Sequence, residues 1–122
     1  MEQFSGQRVE RMLARMSLEQ KIGQVMLIGL DPAETGAQST EMTPPMARLL
    51  AERHIGGLVL FERNVGAPGE LSQLTAAAQV AVTDGGDLPL IISIDQEGGR
   101  VTRLRQARGY TEAEAFVMLI LF

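Results

Sequence analysis

The sequence contains no cysteine and no tryptophan, and His54 is its one histidine. Without cysteine the chain has no thiol nucleophile, no disulfide framework and no thiolate metal site. No apolar run approaches the roughly twenty residues that a membrane span requires, and the start lacks the basic and apolar regions of a signal peptide. We therefore expect a cytoplasmic protein without a membrane partner, whose chemistry depends on carboxylates, arginines and one imidazole.

The charge pattern gives no sign of a nucleic-acid partner. Eleven Lys and Arg residues stand against fifteen Asp and Glu residues, for a net charge of −4, and the basic residues form no cluster. Nucleic-acid binding depends on such a cluster, because it releases counterions from the phosphates. At 122 residues with 45% hydrophobic content, the chain is one globular domain or part of one.

The spacing of apolar residues predicts alternating helices and strands. Helical periodicity over residues 9–16 predicts an amphipathic helix, and the capping-box pattern of Ser17 and Gln20 predicts a second helix from Leu18. The remaining predicted elements are strands at 25–30, 58–61 and 90–94 and helices from 44 to about 54 and from 68 to about 83. Strands this apolar favour a parallel sheet buried on both faces, and hence an α/β fold. The pattern alone leaves open a barrel or a doubly wound sheet.

Candidate site residues follow the predicted strands, because ligands bind beyond the carboxyl ends of parallel strands. Asp31 follows the first strand, residues 62–64 follow the second, and the segment DQEGGR at 95–100 follows the third. Ionised carboxylates accept hydrogen bonds from sugar hydroxyls, and arginines donate to sugar oxygens. This cluster therefore suits a polyhydroxylated ligand. The alternative is a solvated ion-pair network of Asp95 or Glu97 with Arg100 or Arg103, closing the turn.

The other polar candidates favour structural roles. His54 stands at a predicted helix end, on the side of an α/β fold opposite the ligand site, where its imidazolium would meet the helix dipole. The trio at 62–64 is more typical of loop scaffolding than of catalysis. Asp95 and Glu97 offer oxygen ligands for Mg²⁺ or Ca²⁺, but no third ligand stands nearby, so we expect no metal.

Three segments carry a family pattern. They are SLEQKIGQ at 17–24, IGGLVLF at 55–61 with Arg63 and Asn64 after it, and IDQEGGRVTRL at 94–104. In order and spacing across residues 9–111 they closely resemble the N-terminal domain of glycoside hydrolase family 3, and most of all its β-N-acetylhexosaminidases. The third segment is the most specific of the three.

The resemblance implies a (β/α)₈ barrel, of which this chain holds about three of the eight units. It also implies hydrolysis of a terminal β-linked N-acetylglucosamine with retention of configuration, through a carboxylate nucleophile and a separate acid/base, with no metal or organic cofactor. Asp95 and Arg103 match the substrate-binding aspartate and arginine of the family, whereas Arg100 matches no ligand contact. The nucleophile and the acid/base of the family lie beyond residue 122, so we expect no catalytic residue in this chain.

The end of the chain departs from the expected pattern. We predict a partial family 3 domain at 1–111, followed at 112–122 by an apolar tail that a truncation or a frameshift would explain. The alternative is a short terminal helix packed over the open core. On this basis the isolated chain is a glycosidase fragment, or an inactive remnant that retains half of a sugar site.

Overall fold

The computed structural model describes residues 2–30, 39–97, 100–105 and 109–111, with only the backbone for 2–5. Its elements are α1 (Glu2–Arg15), α2 (Leu18–Gln24), β1 (Leu27–Gly29), α3 (Pro44–Glu52), β2 (Gly57–Leu60), α4 (Pro68–Thr83) and β3 (Ile91–Ile94), with a 3-10 turn at Glu62–Asn64. This order confirms the predicted alternation of helices and strands. The predicted tail at 112–122 lies outside the described residues. Within the described parts of the chain, no helix is both long enough and apolar enough to cross a bilayer.

The three strands form one parallel sheet in the order β1-β2-β3. In register, Gly57 lies between Leu27 and Ile91, and Val59 lies between Gly29 and Ser93. Each strand is joined to the next through a helix, as parallel neighbours require. The α/β class predicted from the hydrophobic pattern is therefore confirmed.

Two helices begin where their capping residues predict. The hydroxyl of Ser17 accepts from the backbone N–H of Gln20 at 3.2 Å, and the side-chain oxygen of Gln20 accepts from the backbone N–H of Ser17 at 3.0 Å. This reciprocal pair is the predicted capping box and starts α2. Thr43 caps α3 in the simpler way, with its hydroxyl accepting from the backbone N–H of Met46 at 3.5 Å.

The hydrophobic core lies between the sheet and helices α3 and α4. Leu58 and Leu60 of β2 point toward these helices and are almost completely buried. The core is completed chiefly by Leu50 of α3 and by Leu71, Leu74, Ala78 and Val82 of α4. Leu104 and Tyr110, which follow the last strand, also pack into this cluster. Segments after β3 are thereby held against the body of the fold.

The opposite face of the sheet is largely bare. Leu27 and Ile91, which flank Gly57 on that face, are 51% and 66% exposed. The prediction of strands buried on both faces is therefore wrong for the described part of the chain, because α3 and α4 pack on the same side of the sheet. The first strand is also shorter than the predicted 25–30, since Val25 is the C-cap of α2 and is 85% exposed.

Candidate functional site

Two acidic residues lie at the carboxyl edge of the sheet. Asp95 directly follows β3, and Glu62 follows β2 after one intervening residue. Because the strands are parallel neighbours, both chain segments leave the sheet on the same side. The backbone N–H of Asp95 also donates to the carbonyl oxygen of Leu60 at 3.4 Å, which ties the two strand ends together.

Arg103 joins these two carboxylates. Its Nη1 lies 3.1 Å from Oε2 of Glu62, and its Nη2 lies 3.1 Å from Oδ2 of Asp95. The side chain of Arg103 is 18% exposed, against 32% for Asp95 and 46% for Glu62. Such charge-assisted hydrogen bonds fix both distance and orientation. The three side chains form the cluster that we call the arginine clamp.

The backbone of Arg103 is held by Gln96. The side-chain oxygen of Gln96 accepts from the backbone N–H of Arg103 at 2.7 Å and from that of Leu104 at 3.2 Å. Leu104 is itself buried in the core. The main chain that carries the arginine is therefore anchored next to the strand that carries Asp95.

The structure brings the two predicted substrate-binding residues, Asp95 and Arg103, into direct contact. This ion pair is also what the alternative of a structural network predicts, so the contact by itself does not assign a role. Glu97 and Arg100 are exposed, and neither is a partner in the arginine clamp. Glu62, which we expect from the sequence to be loop scaffolding, is the second carboxylate on Arg103. Its place just after the neighbouring strand indicates the edge of the sheet at which it lies, but not its contact with Arg103.

Asn64 serves as scaffolding, as the sequence predicts for this trio. Its side chain is fully buried. The amide nitrogen donates to the carbonyl oxygens of Leu30 at 3.0 Å and Ser39 at 3.2 Å, and the amide oxygen accepts from the backbone N–H of Phe61 at 3.0 Å. Asn64 therefore joins the ends of β1 and β2 beneath the site.

Arg63 lies beside the same strand end. Its guanidinium carbon is 4.8 Å from the centre of the Phe61 ring, within cation–π range, and its Nε donates to the carbonyl oxygen of Leu30 at 3.3 Å. Like Asn64, this residue connects β1 with the segment after β2.

His54 lies at the opposite edge of the sheet, as predicted. Its Nδ1 is 2.8 Å from Oδ2 of Asp87, whose side chain is only 6% exposed. Oδ1 of Asp87 accepts from the side-chain amide of Gln20 at 3.4 Å. The structural position of His54 is therefore confirmed, and the carboxylate of Asp87 is its partner there.

The larger of two grooves described on this chain lies away from the arginine clamp. It has a volume of about 520 Å³ and runs between α2 and α3, where Ile22, Met26 and Leu49 line it. Among the residues that the structure describes, no three His, Asp or Glu side chains stand together as a metal site. Among the described residues, the arginine clamp is therefore the stronger candidate for a functional site.

The family model for the glycosyl hydrolase family 3 N-terminal domain matches residues 17–117. The chain belongs to glycoside hydrolase family 3. A β-hexosaminidase of Alkalilimnicola ehrlichii is 38% identical over 90 residues, which is 74% of this chain and 24% of that protein. A β-hexosaminidase of Mycobacterium tuberculosis is 33% identical over 103 residues, or 84% of this chain and 22% of that protein. The chain thus spans about a quarter or less of these curated relatives.

Solved structures of the family agree with the fold. A family 3 β-N-acetylglucosaminidase from Paenibacillus superposes with a TM-score of 0.64 at 37% identity, covering 74% of this chain and 16% of that one. The NagZ structure from Neisseria gonorrhoeae, solved with N-trifluoroacetyl-D-glucosamine, gives 0.52 at 32% identity, covering 66% of this chain and 20% of that one. Family 3 enzymes have a TIM-barrel N-terminal domain, and the three-stranded sheet described above is part of such a barrel.

Proposed function

We propose that this chain supplies part of the substrate pocket of a retaining β-N-acetylhexosaminidase, with Asp95 and Arg103 binding the terminal N-acetylglucosamine. The observation that carries the proposal is the position of Asp95 and Arg103 in a family 3 domain, at the carboxyl edge of the sheet where α/β barrels bind substrates. Membership in family 3 supplies the reaction class, glycoside hydrolysis.

The geometry leaves hydrogen-bonding capacity for a sugar. Oδ2 of Asp95 is bound to Arg103, whereas Oδ1 has no hydrogen bond within the described ranges. A carboxylate oxygen in this state accepts hydrogen bonds from sugar hydroxyls, and the guanidinium keeps further N–H groups beyond the two that the carboxylates use. The pair can therefore bind and orient a sugar ring.

The relatives support N-acetylglucosamine as the sugar. The curated relatives are named β-hexosaminidases, one similar structure is a β-N-acetylglucosaminidase, and another contains an N-acylated glucosamine. A carbohydrate partner follows from the family, and the N-acetyl group is the finer part of the proposal.

For the bond-breaking step, the family resemblance implies a nucleophile and an acid/base that match no residue quoted above. In the retaining mechanism one carboxylate attacks the anomeric carbon, while an acid protonates the departing oxygen and later activates water. Because the resemblance places both groups beyond residue 122, we expect no turnover by the isolated chain. An inactive remnant with half of a sugar site is the competing outcome.

A graft into a relative tests the proposal. Residues 17–111 would replace the matching segment of the Alkalilimnicola ehrlichii β-hexosaminidase, and kcat/KM would be measured on 4-nitrophenyl N-acetyl-β-D-glucosaminide. We expect an active graft, with Asp95→Ala and Arg103→Ala each lowering kcat/KM about ten- to a hundredfold, because charged hydrogen bonds to the sugar are lost.

The matched control is Asp84→Asn, which removes one negative charge at the exposed C-cap of α4, away from the site, and should leave kcat/KM unchanged. A folded, active graft whose kcat/KM is insensitive to Asp95→Ala would contradict the sugar-binding assignment. Turnover by the isolated chain that Asp95→Ala abolishes would show that the chain holds its own catalytic groups.

Two further expectations remain predictions. The cytoplasmic location can be checked by fractionating cells that express the native gene.

The boundary at residue 111 and the origin of the tail at 112–122 can be checked by sequencing the gene through codons 105–122 and several hundred bases onward in all three frames. A frame that continues the family pattern would indicate a frameshift.

A further inference from the structure

The guanidinium of Arg103 is fixed by few contacts. Its Nε is buried and has no acceptor among the described residues. The described hydrogen bonds of the side chain are therefore the one from Nη1 to Glu62 and the one from Nη2 to Asp95. With Nε unbonded, the orientation of the guanidinium plane depends on these two carboxylates.

The two carboxylates are not equivalent. Asp95 is the residue that our proposed function assigns to the sugar, so its carboxylate would be shared between Arg103 and the ligand hydroxyls. Glu62 approaches Nη1 from the neighbouring strand end, and the sequence resemblance gives it no role with the substrate. It can hold Arg103 while Asp95 also binds the sugar.

The backbone strengthens this arrangement. Gln96 accepts from the N–H groups of Arg103 and Leu104, so the Cα of the arginine is fixed independently of its side chain. The long side chain between that anchor and the guanidinium still has several rotatable bonds, and an arginine loses much rotamer freedom when it is ordered. Glu62 restricts the arginine side chain before a ligand binds, so less conformational entropy is lost on binding.

We propose that Glu62 is a positioning residue of the sugar site, which holds the guanidinium of Arg103 in its binding orientation when Asp95 engages the ligand. The proposal rests on the proposed function for its ligand, and on the arginine clamp for its geometry. It predicts that Glu62 affects sugar affinity without touching the sugar.

The test uses the whole 122-residue chain labelled with ¹⁵N. Side-chain NMR resonances of Arg103, assigned by their loss in Arg103→Lys, would be recorded in cold buffer for wild type, Glu62→Gln, Glu62→Asp and the control Asp84→Asn. We expect separate Nη–H resonances in wild type and in the control, because two ion pairs slow rotation of the guanidinium. They should merge in Glu62→Gln and Glu62→Asp, which lose the charge and the reach of the carboxylate respectively.

The second readout is binding of N-acetylglucosamine, followed by ligand-observed NMR titration. Because Glu62 is partly exposed and its ion pair is screened, we expect Glu62→Gln to raise Kd about threefold. Thermal unfolding should stay unchanged, since a merely structural role would lower the melting temperature instead.

Two results overturn the proposal: unchanged Arg103 resonances in Glu62→Gln, or merged resonances with unchanged affinity. If wild type shows no saturable sugar binding, that result counts against the sugar assignment, and the Arg103 resonances alone decide whether Glu62 positions the arginine. The two proposals can therefore fail separately.

Discussion

The backbone N–H of Gly56 donates a hydrogen bond to the carbonyl oxygen of Gly23 over 2.9 Å, so α2 and the approach to β2 meet backbone to backbone. A Cβ on Gly23 would collide with the carbonyl oxygens of Arg53 and His54, and a Cβ on Gly56 would collide with that of Gln24. The two glycines belong to two different segments of the family pattern. Their contact gives a physical reason for glycine in both.

We predict that Gly23→Ala and Gly56→Ala each lower the free energy of unfolding by about 1–3 kcal/mol, because backbone atoms must move to admit the methyl group. Urea unfolding followed by circular dichroism measures this. The control is Gly69→Ala in α4, where a Cβ would have nothing within 4 Å, and it should raise stability by about 0.5–1 kcal/mol through helix propensity. Equal effects at Gly23 and Gly69 would refute the close contact.

Asn64→Ala should lower the free energy of unfolding by about 2–3 kcal/mol, because buried partners of the amide lose their hydrogen bonds. Asn64→Asp should cost at least as much, since a carboxylate oxygen would face the carbonyl oxygens of Leu30 and Ser39. The exposed change Gln73→Ala serves as control and should fall within about 0.5 kcal/mol of wild type. A small loss in Asn64→Ala would mean that Asn64 is not the tie between the strand ends.

His54 combines a hydrogen bond to Asp87 with a left-handed backbone conformation, at φ 54°. His54→Ala should cost about 1–2 kcal/mol, because it leaves the nearly buried Asp87 with one partner fewer. His54→Gly loses the same hydrogen bond but regains about 1 kcal/mol from the backbone, since glycine adopts positive φ without strain. Chemical denaturation of the two variants separates these effects, and alanine proving the more stable of the two would contradict the strain.

Stability should also depend on pH through Glu19. Hydrogen bonds from its own backbone N–H, and then from the Ser17 hydroxyl, hold the pKa of Glu19 below its ordinary value. Because the pKa of Glu19 is lower in the folded state, its ionised form stabilises the fold at pH values above the unfolded-state pKa. This contribution is lost as the pH falls through the folded-state pKa. Between about pH 5 and pH 3 we therefore expect a shallower fall in unfolding free energy for Glu19→Gln than for wild type. Identical slopes in urea titrations across this range would disprove the contribution.

The starts of α2 and α3 were the most predictable boundaries, because their capping signals are local, whereas α1 begins at Glu2, well before the predicted residue 9. Ser17 with Gln20, and Thr43 before a proline pair, bind backbone N–H groups within their own first turns. The first strand was predicted too long because an apolar run does not show where a helix ends. Val25 still closes α2 through its backbone N–H, so the strand begins only at Leu27.

The contacts of the arginine clamp differ in how far the sequence predicted them. Asp95 and Arg103 stand eight positions apart in one motif, so their meeting follows from a single turn of chain. Glu62 lies 41 positions from Arg103, and only the pairing of β2 with β3 brings it to the guanidinium.

The sequence by itself determined the α/β class, the family and the single motif that contains Asp95 and Arg103, because periodicity, capping and a continuous motif are local properties. Tertiary structure alone decided that both helices after β1 cover one face of the sheet, that Asp87 is the partner of His54, and that Glu62 shares Arg103 with Asp95. These contacts join segments far apart in the chain, so their geometry depends on strand register and helix packing, which no local pattern encodes.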